Sequence, residues 1–567
     1  MAIRGLLHRG CTWLIALVMC GALLWMEQSA RADGAKPDPI GDFMTSPTDA
    51  AVPGYKAPAD PAKPAPEELK PERLRADIDG VAKSSSRNFY AVNFTWTLVA
   101  GFLVMFMQAG FALVETGLCR AKNSAHTMSM NFMVYALGMT GFFLCGFAFM
   151  CGGANGTFVG GPASLGGVPT LDQMFKIGEW GIFGKTGFML TGGAYDAQAI
   201  VWFLFMMVFM DTTATIPTGA LAERWNFKSF FIFSLFIGGL TYPIYGGWVW
   251  GGGWLAQLGK LGGLGHGVLD YAGSSVVHLQ GGALALVCCW LLGPRLGKYK
   301  DGKPQPILGH HIPMVILGTF ILAFGWFGFN AGSSLAATDG RIGIIAVNTM
   351  LASAAGALAA CLYMWIIQEN KKPDPTMMCN GMLAGLVAIT APCAFVTPPI
   401  AFLIGLISGV LVVVSVFFWE KRGIDDPVGA ISVHGVNGAW GVLCIGLFAD
   451  GKYGIGLNGV DGPVLGLFYG GGVKQLLAQA IAVVVCVSWN MVVGGLIFWT
   501  IGKVIGSNRV SQETEYSGLD IPEMGIPGYP EFGSGSSIPE QFPTSAAMDS
   551  AGYKPSGVVA RTSAAGV

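Results

Sequence analysis

Eleven apolar stretches, each long enough to cross about 30 Å of hydrocarbon, constrain this chain more than any other feature. They run over residues 92–115, 129–151, 197–222, 229–255, 271–293, 312–333, 342–368, 377–397, 399–419, 428–449 and 475–503. Only Pro398, Pro399 and their neighbours separate the eighth from the ninth. In lipid a backbone must satisfy its own polar groups, so spans of this length are helices. Of 567 residues, 52% are hydrophobic and 12% are charged, about half the usual charged fraction. A soluble globule has no use for so much apolar surface. The expected fold is an all-α polytopic membrane protein with eleven transmembrane helices, and the lipid bilayer is its first partner. The 84 glycines fit close helix packing. A net charge of -1 excludes a basic nucleic-acid footprint.

The two ends differ from the middle. Residues 1–32 read as a signal peptide: Arg4 and Arg9, an apolar run from Cys11 to Trp25, and a small-x-small site at Ala30-Arg31-Ala32. The alternative, a first transmembrane helix, needs a longer run. Residues 33–88 are rich in Pro, Ala, Asp and Lys and are expected to form a disordered extracytoplasmic segment. Residues 89–504 form the membrane domain, 505–525 a cytoplasmic tail, and 526–567 a disordered Gly/Ser/Pro-rich extension. With the N-terminus outside, the inner loops together with Lys503 and Arg509 at the end of the last span carry fourteen Lys and Arg, and the outer loops carry six. The positive-inside rule then gives N-out/C-in, in the cell's inner (plasma) membrane. No cysteine pair has metal-ligand spacing, so no metal or other cofactor is expected.

One short pattern occurs twice. Asp270-Tyr-Ala-Gly273-Ser-Ser-Val-Val277-His278-Leu-Gln-Gly-Gly282 and Asp426-Pro-Val-Gly429-Ala-Ile-Ser-Val433-His434-Gly-Val-Asn-Gly438 both read D-x2-G-x3-V-H-x3-G. The copies open the fifth and tenth spans. An odd offset of five reverses the second copy across the membrane and predicts a 5+5 inverted-topology repeat. Each histidine lies eight residues past its aspartate, about 12 Å along a helix. From opposite faces of a core about 30 Å thick, both reach its middle. Ionisable groups there are costly and usually line a pathway. The plainer reading is that each histidine bonds a neighbouring helix. Each aspartate stands where a helix N-terminus needs a cap.

With these residues in view, the chain resembles the ammonium transporter family (Amt/Mep/Rh), in its Amt-type bacterial form, over about residues 90–525. The motifs that carry the resemblance are Gly219-Ala-Leu-Ala-Glu-Arg224, Trp250-Gly-Gly-Gly253, the Asp270 to His278 segment, Gly325-Trp-Phe-Gly-Phe-Asn-Ala-Gly-Ser333, and Asp425-Asp-Pro to His434-Gly. The resemblance implies a homotrimer of eleven-helix protomers, each with its own narrow pore. It makes His278 and His434 the paired pore histidines. It makes Phe209, Trp250 and Ser333 an outer site for ammonium or methylammonium. Phe209 and Phe329, with Phe205 beside them, would gate the pore, and Asp270 would support the recruitment site without touching substrate. The tail Arg509 to Asp520 resembles the family's cytoplasmic tail, which in many members meets PII-type signal proteins.

Physical chemistry agrees with these roles. Aromatic faces attract a cation by about 0.5–2 kcal/mol each, and a hydroxyl oxygen accepts an ammonium N–H. Carrying the bare ion through an apolar pore costs far more. Ammonium escapes that cost by shedding a proton, which imidazoles with an ordinary pKa near 6.5 accept and relay; potassium cannot. Trp248 and Trp254 are expected to be interfacial anchors. Asp211, inside the third span, departs from the family pattern. It either tunes transport or is a hydrogen-bonded acid joining helices. A sensor that binds but conducts poorly is the alternative function. An intramembrane enzyme is disfavoured, since neither H-E-x-x-H nor G-x-S-x-G lies near the histidines. A neutral-gas channel is disfavoured by Trp250 and Ser333.

Overall fold

The computed structural model describes residues 71–154, 171–368, 371–457 and 459–530. The expected signal peptide, most of the Pro-rich segment and most of the C-terminal extension lie outside these residues. Ten helices among the described residues are long and apolar enough to cross a membrane. With one shorter apolar helix they are, in chain order, α1 Pro71–Leu118, α2 Ala121–Cys151, α3 Ala197–Ala220, α4 Phe227–Val249, α5 Ser274–Leu292, α6 Ile312–Ser334, α7 Ile342–Ile367, α8 Pro375–Thr390, α9 Pro398–Lys421, α10 Ile431–Phe448 and α11 Lys474–Ile505. A short helix, α12 Gln512–Ser517, follows.

Three expectations need correction. Residues 71–88, placed in the disordered segment, are helical and continuous with the first span. Pro71 suits a first helical position. Extending a helix that the membrane has already nucleated adds one hydrogen bond per residue without a new nucleus. The extension beyond 525 is ordered at its start: Gly528 N donates to Asp520 Oδ2 at 3.1 Å, and Tyr529 Oη lies 2.7 Å from His310 Nε2. The eighth span is a helix of 16 residues followed by a buried turn over 391–396. Pro392 cannot continue the helix. Among the described residues the helices and loops are joined by two small antiparallel hairpins: β1 Met174–Ile177 with β2 Trp180–Gly184, and β3 Tyr299–Lys300 with β4 Lys303–Pro304.

Lipid tails provide no hydrophobic drive between helices, so packing rests on close approach. Glycine permits it. A Cβ on Gly318 of α6 would stand 2.7 Å from the Gly110 carbonyl of α1. On α2, a Cβ at Gly141 would stand 2.9 Å from Gly239 N of α4, and one at Gly409 of α9 would strike the Gly356 carbonyl of α7. The pairs α2–α4 and α7–α9 are counterparts at the same offset of five that separates the repeated motifs.

Candidate functional site

The repeated motif folds the same way twice. In the first copy Asp270 is fully buried. Its Oδ1 accepts the backbone N–H of Gly273 (3.0 Å) and Ser274 (2.8 Å). Its Oδ2 accepts Ser275 N (2.7 Å), Ser275 Oγ (2.7 Å) and Val276 N (2.9 Å). In the second copy Asp426 accepts Val428 N (3.3 Å), Gly429 N (2.9 Å) and Ile431 N (2.7 Å). Gly273 and Gly429 have φ of 115° and 80°, which L side chains rarely adopt. Each cap opens a π-helical turn, Ser274–Leu279 and Ile431–Val436. His278 and His434 lie in these two turns.

The last glycine of each copy brings the copies together. A Cβ on Gly282 would run into the backbone of Gly435, and one on Gly438 would stand 2.6 Å from Ser274 O and 2.9 Å from Leu279 N. The contacts run in opposite sequence directions, so the two histidine turns cross antiparallel. His278 Nδ1 lies 3.1 Å from His434 Nδ1, with ring centroids 5.2 Å apart. A hydrogen bond between two Nδ1 atoms needs the proton on one ring and a lone pair on the other. His278 Nε2 is buried without a hydrogen-bond partner.

A ladder of rings leads away from this pair on both sides. His278 stacks on Phe329 at 5.3 Å, Phe329 on Phe209 at 4.1 Å, and Phe209 contacts Phe205 at 4.7 Å. On the other side His434 contacts Phe111 at 5.9 Å. At one end of the ladder Phe205, Met206, Phe209, Trp250, Tyr271, Ser333 and Leu335 line a cavity of about 10 Å³, about one water-sized probe. Trp250 caps the C-terminus of α4. Its Nε1 donates to the Asp270 carbonyl at 2.6 Å, so Asp270 holds both this wall and the His278 turn. Ser333 Oγ donates to the Phe329 carbonyl at 2.6 Å, which leaves its lone pairs to accept. The structure thus brings Phe205, Phe209, Trp250, Ser333, Phe329, His278 and His434 into one path.

Three further participants were not singled out in the sequence, although Tyr271 and Trp326 stand inside quoted motifs. Tyr271, with its buried hydroxyl unpartnered, lines the cavity beside Trp250. Trp326 stacks on His278 at 5.2 Å and 20°, and its Nε1 donates to Thr390 Oγ1 at 2.9 Å. Glu115 lies at the other end of the ladder. There Phe111, Glu115, Asn380, Val433 and His434 are among the residues lining a cavity of about 20 Å³. In sequence Glu115 ends an apolar run and looks like a helix end. Asp211 is 2% exposed; it belongs to neither cavity lining, and its Oδ1 has no hydrogen-bond partner.

Near the second cavity a buried ionic cluster ties the loops together. Arg295 grips Asp425 through Nε (2.8 Å) and Nη2 (3.0 Å), and reaches Glu223 through Nη1 at 2.8 Å. Arg224 Nη2 donates to the Asp425 carbonyl at 2.6 Å. Burial pushes the Asp425 carboxyl up, but Arg224, Arg295 and the Arg295 hydrogen bonds outweigh it and hold the group well below the usual carboxylate range. The tail packs against the same loops. Glu515 accepts from Arg509 (2.7 Å) and from Leu296 N (2.6 Å), and Asp520 accepts from His126 N at 2.9 Å.

The apolar helices among the described residues, packed around a buried row of rings with two histidines at its middle, define a polytopic membrane protein. The sequence model of the Ammonium Transporter Family matches residues 95–529. The chain is similar to ammonium transporter Amt2 of Archaeoglobus fulgidus, 47% identical over 463 residues, covering 81% of this chain and 92% of the relative. It is similar to ammonium transporter Amt1 of Haloferax mediterranei, 38% identical over 473 residues, covering 81% and 83%. Among solved structures, a Sensor Amt Protein is 35% identical with a TM-score of 0.66, covering 77% of this chain and 100% of that one. Candida albicans Mep2 is 26% identical with a TM-score of 0.63, covering 75% and 87%. The chain belongs to the ammonium transporter family.

Proposed function

We propose that the protein transports ammonium across the cell membrane. It recruits the cation at the outer cavity, deprotonates it at the phenylalanine gate, and passes ammonia and the proton separately along the histidine pair. The observation that carries this is the unbroken ring ladder, Phe209–Phe329–His278–His434, between two small cavities. Phe209 and Trp250 offer faces to a cation, and Ser333 Oγ keeps lone pairs for its N–H. Phe209 and Phe329 are fully buried, so a bare ion meets no solvation between them, and a neutral molecule crosses far more cheaply. The paired Nδ1 atoms supply a place where a proton changes rings. Asp270 is a support: its carboxylate is committed to backbone and hydroxyl donors.

Purified protein in liposomes tests this. Ammonium and methylammonium should drive current while potassium does not. The double variant His278→Ala with His434→Ala should lose current or selectivity, and unchanged current and selectivity would sink the reading. A second reading is an ammonium sensor with little conduction, favoured by the similarity to the Sensor Amt Protein. Retained ammonium binding without flux would select it. We also infer an N-out/C-in inverted repeat in the inner (plasma) membrane, a homotrimer, and a PII-type regulator at the tail. Asp211 stays a candidate for tuning the current.

A further inference from the structure

We propose that Glu115 is the proton acceptor at the far end of the path, taking the proton that leaves the histidine pair and releasing it to the nearer aqueous face. This rests on the transport reading above and adds a residue to it.

Glu115 is 3% exposed, on the last turn of α1, one turn beyond Phe111, which touches His434. Glu115, Asn380 and His434 line the same cavity. Its volume of about 20 Å³ exceeds the 10–15 Å³ that roughly one water needs, and the three polar side chains offer such a water the partners it requires. An ionisable group at such a place is a functional candidate by default. The carboxyl is positioned by two donors that converge on Oε2: Asn131 Nδ2 at 2.6 Å and Thr218 Oγ1 at 2.7 Å. Asn131 is itself oriented, since Thr215 Oγ1 donates to its Oδ1 at 3.0 Å, and Gln108 Nε2 bonds Thr215 Oγ1 at 3.0 Å. The polar chain is satisfied except where it borders the cavity.

The titratable groups that act on Glu115 are few. His434 shares the cavity from α10, Asp426 acts from the loop before it, and Cys119 follows Glu115 past the end of α1. α2 and α3 present Asn131 and Thr218, which do not titrate. Asp426 is committed to the backbone N–H groups it caps, which leaves Glu115 as the carboxyl on the cavity wall. In the step, a ring N–H of protonated His434 breaks and a water in the cavity carries the proton. An O–H bond forms on the Glu115 carboxylate, then breaks as the proton passes to bulk water. Imidazole and carboxylate are both regenerated, and no other reactant is consumed.

The test is ammonium-driven current on liposome-reconstituted protein from about pH 5 to about pH 8, where imidazole relays titrate. At equal incorporated protein, Glu115→Gln should lower the current roughly tenfold or more and flatten its pH dependence. Glu115→Asp should restore current with a displaced midpoint. Thr218→Val removes one donor to the charged carboxylate and should move the midpoint to higher pH. That variant keeps the test alive if Glu115→Gln fails to fold. A group that only joined helices would change expression or thermal stability and leave the pH profile where it was. Wild-type profiles in Glu115→Gln, or an unmoved midpoint in Thr218→Val, overturn the assignment. A wild-type protein without ammonium current would instead overturn the transport reading itself.

Discussion

Asp270 holds two elements at once, Trp250 and the turn that carries His278, and its loss should cost far more than that of its counterpart Asp426. In Asp270→Ala, four backbone N–H groups, of Gly273, Ser274, Ser275 and Val276, lose their acceptor in a site with no solvent. At about 1–3 kcal/mol for each buried unsatisfied donor, the cost is about 4 kcal/mol at the least. Asp270→Asn is intermediate. Its single oxygen can serve the three donors of Oδ2, but the NH2 then faces the N–H of Gly273 and Ser274, a cost of about 2–6 kcal/mol. Asp426 is less completely buried than Asp270 and accepts three N–H groups. Water replaces part of what Asp426→Ala removes, so an ordinary capping loss of about 0.5–2 kcal/mol is expected. Thermal unfolding of the detergent-solubilised variants should rank wild type, Asp426→Ala, Asp270→Asn and Asp270→Ala in falling order. Because Trp250 Nε1 hangs on the Asp270 carbonyl, ammonium affinity should fall with stability in the Asp270 series. Equal midpoints for Asp270→Ala and Asp426→Ala would refute the capping argument.

Gly282→Ala should force the two histidine turns apart, lowering the thermal midpoint by overpacking of about 1–3 kcal/mol and reducing current; a variant with wild-type midpoint and current would show that the helices yield freely. Phe329→Ala removes the ring between Phe209 and His278, with a cavity cost of about 3–5 kcal/mol, and should admit potassium in ion-replacement currents; retained ammonium selectivity would contradict a gating role. Asp425→Asn leaves Arg295 buried against an amide, an expected loss of about 3–5 kcal/mol. The folded Asp425 carboxyl sits below its unfolded range, so its contribution is complete above about pH 5 and is lost progressively as pH falls from there to the folded value. The thermal deficit of Asp425→Asn should therefore be the same at about pH 5 and about pH 8, and a deficit that grows between them would mean that Asp425 titrates there.

The helices were legible in the sequence because lipid permits little else: a run of twenty apolar residues without charge has to satisfy its own backbone. The repeated motif went further, since its letters map onto separate tasks: the aspartate caps, the first glycine takes positive φ, and the last glycine lets the other copy approach. The π turns that carry His278 and His434 left no such mark in the letters. What failed to show was set by contacts between distant segments. Residues 71–88 look like linker by composition, yet they continue a helix that the membrane starts. Tyr271 and Trp326 lie inside the quoted motifs, but nothing in those letters gives them a role until their neighbours are known. Glu115 is the sharpest case. A carboxylate at the edge of an apolar run marks the end of a span in sequence, and only the placement of α2, α3 and α10 around it turns that edge into the wall of a cavity shared with His434. A polar residue at a helix end is therefore ambiguous in a membrane protein. Whether it faces water or the path is decided by which helices close over it, and hydropathy has no information about that.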